Sequence, residues 1–315
     1  MRTKRGLGGI IALASFVSLV PSAFAVEGGL GRPISGMQIT PYAGLVPPDP
    51  GLSVLTGETY YEGSIGGGLN VPIAGLLVAN VDVKASFTPI SLLYIWPTPT
   101  KTWNFASVAS FPLAWLQVEA TTSLGPFTLQ KKDSTFGLFD LAFTPIIASH
   151  HFSQTDHLAF DFTFWAPTGD FKTGRLVNLS LNNWTFIPGV AYTKIIPEVN
   201  IELSGIWDME FYTENPDTNF QNGIVSDLEV LAIKRFKCGF GIGFIESWIQ
   251  QVTDDESALT PNGFVGRAFG IGPIVTYSTK LGKTHLDFNA RWIHDFDVTN
   301  RVEGDGFNFT ASLKF

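Results

Sequence analysis

The chain has 315 residues and carries 20 Lys and Arg against 28 Asp and Glu, for a formal charge of −8. This excludes nucleic acid as a partner, because phosphate contacts need clustered basic residues. The single cysteine, Cys238, allows no internal disulfide. Only 15% of residues are charged, against about 25% in soluble domains, and mean hydropathy is +0.19, yet beyond the N-terminus no apolar run is long enough for a spanning helix.

Residues 1–25 read as an export signal. Arg2, Lys4 and Arg5 precede the apolar stretch Gly6 to Val20, and Ala23-Phe24-Ala25 is a small-x-small cleavage tripeptide. Residues 26–51 follow, rich in Gly and Pro and closing on Pro47-Pro48-Asp49-Pro50-Gly51, so no regular helix or strand is expected there. This segment is either a periplasmic lead-in or a partial plug folded into a lumen.

From residue 52 to 315 the pattern is period two. Ala79, Val81, Val83, Ala85 and Phe87 alternate with Asn80, Asp82, Lys84 and Ser86. Leu158, Phe160, Phe162 and Phe164 flank Asp161 and Thr163, and Val199, Ile201 and Leu203 flank Asn200 and Glu202. Leu286, Phe288, Ala290 and Trp292 alternate with Asp287, Asn289 and Arg291. Side chains alternate across a strand, so each segment is two-faced. Strands are expected near 52–63, 76–96, 103–122, 136–149, 157–167, 184–194, 198–212, 223–235, 239–250, 267–279, 284–295 and 306–315, with irregularities at Pro89 or Pro112.

Lipid admits only helices and closed barrels, since unsatisfied backbone there costs several kcal/mol per group. The expected fold is therefore an all-β transmembrane antiparallel barrel of about 12 strands, with 10 or 14 as alternatives. Connectors support twelve. Ser64–Gly75, Ser123–Thr135, Thr168–Asn183, Thr213–Asn222, Val252–Gly266 and Phe296–Asp305 are long, and those between them are shorter. Such barrels place long loops outside and short turns in the periplasm. Tyr60, Tyr61, Tyr94, Trp96, Trp103, Trp184, Trp207, Tyr212, Trp248 and Trp292 fall toward strand ends, as interfacial girdles would. The last strand ends on an aromatic residue, and Phe307, Phe309, Leu313 and Phe315 form its apolar face. This face is read as the membrane-insertion signal that would engage a barrel-assembly machinery, with outer-membrane lipid as the surrounding partner.

Charges on polar faces are assigned to the lumen, because a basic residue facing lipid costs about 2–4 kcal/mol at the midplane. The candidate lumen-lining set is Asp82, Lys84, Glu119, Asp140, Asp161, Glu202, Asp287 and Arg291. They would either pair and seal the bore or line an aqueous path. His150, His151, Asp156 and His157 have metal-ligand types but sit together at a short turn, and a turn is the reading taken. The alternation of Gly239, Gly241 and Gly243 with Phe240, Ile242 and Phe244 is strand rather than phosphate loop. His285, Asp287 and Ser312 are the nearest approach to hydrolase chemistry, without a Gly-x-Ser-x-Gly elbow. No catalytic residue, metal or cofactor is assigned.

Pro47-Pro48-Asp49-Pro50-Gly51-Leu52 before Tyr60-Tyr61, Gly137-Leu138-Phe139-Asp140 with Pro145, and Ala166-Pro167-Thr168-Gly169-Asp170-Phe171 come in an order seen elsewhere. So do Asn183-Trp184 with Pro188 and Gly270-Ile271-Gly272-Pro273. In these the chain resembles the outer-membrane family of meta-pathway phenol degradation proteins. Pro167, Thr168 and Gly169 are the family-like turn. The resemblance implies a porin-like barrel in the outer membrane, for passive uptake of small hydrophobic or aromatic compounds. A plugged structural or adhesive barrel is the alternative, and a barrel-embedded hydrolase a lesser one.

Overall fold

The computed structural model describes residues 31–100, 102–124, 127–259, 265–282 and 284–314. The export signal at 1–25, the first residues of the lead-in and Phe315 lie outside them.

Alternating sequence becomes extended chain throughout. The strands are β1 Gly51–Ile73, β2 Leu76–Ile95, β3 Trp103–Leu124, β4 Phe127–Leu138, β5 Leu141–His151, β6 Asp156–Ala166 and β7 Thr185–Ile196. They continue with β8 Ile201–Tyr212, β9 Val225–Arg235, β10 Phe240–Gln251, β11 Arg267–Leu281, β12 Thr284–Thr299 and β13 Glu303–Lys314. All neighbouring pairs are antiparallel, and the sheet closes on itself where β1 meets β13, with Ser53 opposite Lys314 and Tyr60 opposite Phe307.

The ring has twelve members although thirteen strands are named among the described residues. β3 pairs with β5 along Trp103–Ser110 and with β4 along Leu113–Leu124, so β4 and β5 are one strand broken at Phe139-Asp140. The break has a polar cause. The buried Asp140 carboxylate accepts the amides of Gly169 (3.1 Å) and Leu181 (3.1 Å), which pulls the backbone out of the ladder.

Two expectations are corrected. The first two long connectors, Ser64–Gly75 and Ser123–Thr135, are mostly strand. β1 and β2 run on to a tight turn at Ala74-Gly75, both with positive φ (47° and 81°), a backbone that suits a two-residue hairpin. Val71, Ile73, Val78 and Val81 on this extension pack with Leu176 and Val177 of the 167–184 loop, so apolar burial sustains strand in place of the expected connector. Pro89 and Pro112 cause no register shift. They stand directly opposite each other, which places two residues without an N–H at one point of the ladder, and the shift lies instead between Ala79 and Asp82.

Outward residues are apolar through the middle of the wall. On β8, Leu203, Trp207 and Phe211 are exposed while Glu202, Ser204, Glu210 and Tyr212 are buried inside. From Leu203 to Phe211 the rise is roughly 20 Å at ~3.3 Å per residue and ~45° tilt, close to the about 25 Å apolar band of such barrels. Trp248 stacks on Phe269 at 5.8 Å, and Trp292 on Phe307 at 6.5 Å, on this outer wall. Tyr61 and Tyr212 do not join the girdle. Both are buried inside, and Tyr61 Oη donates to Asp295 at 2.8 Å. The loops at 167–184 and 213–224 and the described residues 252–259 and 265–266 share one rim, here the long-loop rim; the turns following β2, β5, β7, β9 and β11 share the other, the short-turn rim.

Candidate functional site: the bore and the segment inside it

Residues 31–50 have no ladder of their own, so their peptide groups must be satisfied by the wall. They run through the bore from the long-loop rim to the short-turn rim, meeting side chains from most of the ring.

At the upper end Arg32 forms a buried ion pair with Asp140 (2.8 Å), and its Nε donates to Thr185 at 3.1 Å. The guanidinium also lies 4.9 Å over the Trp165 ring and 5.7 Å over Phe139. Lower, Glu229 accepts the amides of Gln38 (3.1 Å) and Ile39 (2.7 Å), while Arg291 donates to the carbonyls of Gly36 (2.9 Å) and Ile39 (2.7 Å). The Ile39 side chain is wholly buried among Leu231, Ile233, Ile245, Ile274 and Ile293. A backbone gripped by opposite charges and a side chain in an aliphatic socket make this the firmest point of the segment.

Below it Tyr42 N donates to Glu202, which pairs with Arg235; that guanidinium lies 4.2 Å over the Tyr42 ring. Gly44 is held between Thr193, which accepts its amide at 2.9 Å, and Ser149, which donates to its carbonyl at 2.8 Å. A Cβ there would come within 2.7 Å of His157 O and Thr193 N, so only glycine fits. Asn104 donates to Val46 O (3.0 Å), and Lys314 Nζ to Asp49 O (3.0 Å), at the short-turn rim.

Asp140, Asp161, Glu202, Asp287 and Arg291 lie on the inner face. Asp82, Lys84 and Glu119 do not: they share the outward face with Ile90, Leu92 and Tyr94 on β2 and with Phe111 and Leu113 on β3. Lys84 pairs with Glu62 (2.7 Å) and Glu119 accepts from Gln130, all partly exposed. The assignment of these three to the lumen is therefore corrected. Here the wall rises past its apolar band, and its inside is filled by Val81, Val83, Ala85, Val118 and Ala120, so polarity is reversed.

Sequence reasoning missed Arg32, Glu229, Arg235, Asp208 and Asp227. The last two and Glu229 had a readable signal, since Asp208 and Glu210 continue the parity of Glu202, and Asp227 and Glu229 alternate with Leu228 and Val230. Arg32 stands in aperiodic chain and had none. The Pro167-Thr168-Gly169 turn abuts the strand break: Thr168 Oγ1 accepts the Leu141 amide (3.0 Å), and Gly169 binds Asp140. At the short-turn rim His151 and His157 share a hydrogen bond (Nδ1 to Nδ1 2.7 Å), and Asp156 binds Lys194 (2.6 Å). Ser312 lies opposite Asp287, and no hydrogen bond joins His285 to either among the described residues.

The sequence profile of the family described as MetA-pathway of phenol degradation matches residues 65–311. No curated protein matches the sequence. Among solved structures, an outer membrane channel from Pseudomonas putida F1 is similar at TM-score 0.70 and 15% identity, over 88% of this chain and 100% of that one. The beta domain of the Bordetella autotransporter BrkA is similar at TM-score 0.50 and 11% identity, over 84% of this chain and 100% of that one. At such identities the likeness is one of fold.

Proposed function

This chain belongs to the family described as MetA-pathway of phenol degradation, and from that membership and the geometry of its bore we propose that it is an outer-membrane channel for passive uptake of small hydrophobic or aromatic compounds. Residues 1–25 are its cleaved export signal, and the outward Phe307, Phe309 and Leu313 are the face offered to lipid and to the barrel-assembly machinery during insertion. The remaining inner-face residues of the candidate set, Asp140, Asp161, Glu202, Asp287 and Arg291, line the path or hold what occupies it.

The observation that carries this reading is how residues 31–50 are held. Side-chain hydrogen bonds hold the backbone, apolar sockets hold Ile39 and Val46, and one ion pair holds Arg32, without continuous strand pairing. Each such bond contributes only about 0.5–3 kcal/mol net, so the segment can shift without unfolding the ring. With Ile39 drawn from its socket the bore would offer the apolar surface of Ile233, Ile245 and Ile274, which Ile39 now covers, beside half-buried polar surface at Asp161, Thr163 and Asp208, a lining suited to amphiphilic aromatic solutes.

The purified chain in planar bilayers should show small conductance that rises when residues 26–50 are deleted, and proteoliposomes should take up phenol-like solutes faster than empty vesicles. The same occupancy of the bore favours a second reading, a plugged structural or adhesive barrel. No solute flux from the intact chain, with conductance only after the deletion, would decide for the second.

A further inference from the structure

Arg32 occupies a pocket whose walls are built without it. Asp140, wholly buried at the strand break, is oriented by the Gly169 amide on one oxygen and the Leu181 amide on the other, both at 3.1 Å. The Phe139 ring is braced edge to face by Trp165 at 6.2 Å and by Phe87 at 5.4 Å. The Thr185 hydroxyl and the Asn183 carbonyl complete the lining, and both residues are buried. All of these groups belong to the wall or to the 167–184 loop.

Two ring faces, a desolvated carboxylate and two oxygen acceptors are the parts that recognise an organic cation. The guanidinium lies over both rings and 2.8 Å from Asp140, so each part is already in use by a positive charge. Aromatic faces attract such a charge more strongly once water is excluded. A buried carboxylate left without its cation is costly, so the vacated pocket demands another. Arg32 fits it imperfectly: its Nη1 is buried with no hydrogen-bond partner, and it comes from a segment without strand pairing.

We propose that this pocket is a binding site for organic monocations, ammonium or guanidinium groups carried on an apolar body, and that Arg32 is its built-in competitor. A cationic amphiphile takes the Asp140 carboxylate and the faces of Trp165 and Phe139, and Arg32 swings free with the upper end of the segment. Both rings are only half-buried, which leaves the pocket reachable from the bore. Thr185 Oγ1 and Asn183 O then accept the hydrogen bonds that Arg32 now donates. Its role as a solute site rests on the channel function proposed above, whereas binding itself does not.

The test compares benzylammonium with its neutral analogue, benzyl alcohol, on the full chain folded in detergent. Arg32→Ala should bind benzylammonium saturably by calorimetry and gain unfolding temperature from it, and benzyl alcohol should do neither. Trp165→Leu in the Arg32→Ala background should weaken that binding at least tenfold. Absence of saturable binding by Arg32→Ala, equal binding of the alcohol, or unchanged affinity after Trp165→Leu overturns the proposal. Should Arg32→Ala not refold, the unaltered chain decides: benzylammonium must bind saturably and raise conductance in planar bilayers, and failure of either overturns the competition. Vesicle uptake is read separately, so binding without uptake removes the channel function alone, and uptake without binding removes this site alone.

Discussion

Arg291 reaches from β12 to the carbonyl of Ile39, 2.7 Å away, while its own side chain is 6% exposed. At the other end of the same residue, Glu229 takes the Ile39 amide at 2.7 Å. One residue of an otherwise irregular segment is thus fastened at both polar ends. Fastenings of this kind decide whether the bore is occupied.

Arg291→Ala should loosen the segment first. It removes two charge-assisted bonds, worth about 1.5–3 kcal/mol each and not strictly additive, and leaves Glu229 without a neighbouring cation. An open population at least tenfold larger is expected, seen as increased single-channel conductance and faster proteolysis between residues 36 and 46.

Gly44→Val should displace the lower half of the segment without breaking the ring. Its side chain would press on His157 O and Thr193 N, which are ladder backbone and cannot yield. The heat-modifiable gel shift should stay that of the parent chain while conductance rises; an unaltered conductance would count against occupancy of the bore by this segment.

Arg32→Ala leaves Asp140 buried without its ion pair, and breaking one partner of such a pair costs about 3–5 kcal/mol. Because Asp140 also anchors Gly169 and Leu181, the 167–184 loop should become protease-sensitive. Asp140→Asn in the Arg32→Ala background should recover part of the loss, measured by thermal unfolding.

Lys84→Ala and Glu119→Ala should leave ion selectivity unchanged, since both side chains point away from the bore. Asp161→Asn should alter it. A selectivity shift from Lys84→Ala, read as reversal potential across a salt gradient, would contradict the outward placement.

The fold was largely legible in the sequence because lipid on one side and a polar bore on the other impose period two. Strands such as β6, β9 and β12 sit within a few residues of where their alternation puts them. The rule breaks where its physical basis ends. Above the apolar band, Val81, Val83 and Ala85 pack inward against Leu176 and Val177, so Asp82 and Lys84 turn outward. The connectors 64–75 and 123–135 read as long loops, and burial of Ile65, Val71 and Ile73 keeps β1 going through the first of them. Residues 31–50 carry no period at all, because scattered wall side chains hold their backbone. Their route could not be read from their own pattern.

That route constrains how the molecule assembles. Residues 31–50 precede β1, yet their anchors come from β3, β5, β7, β8, β9, β12 and β13. The earliest part of the described chain therefore gains its last fastening, Lys314 to Asp49, from the final strand, at the seam where β13 meets β1. Sealing the cylinder and lodging its contents are one event, and a variant that stalls the seam should leave an empty, leaky precursor.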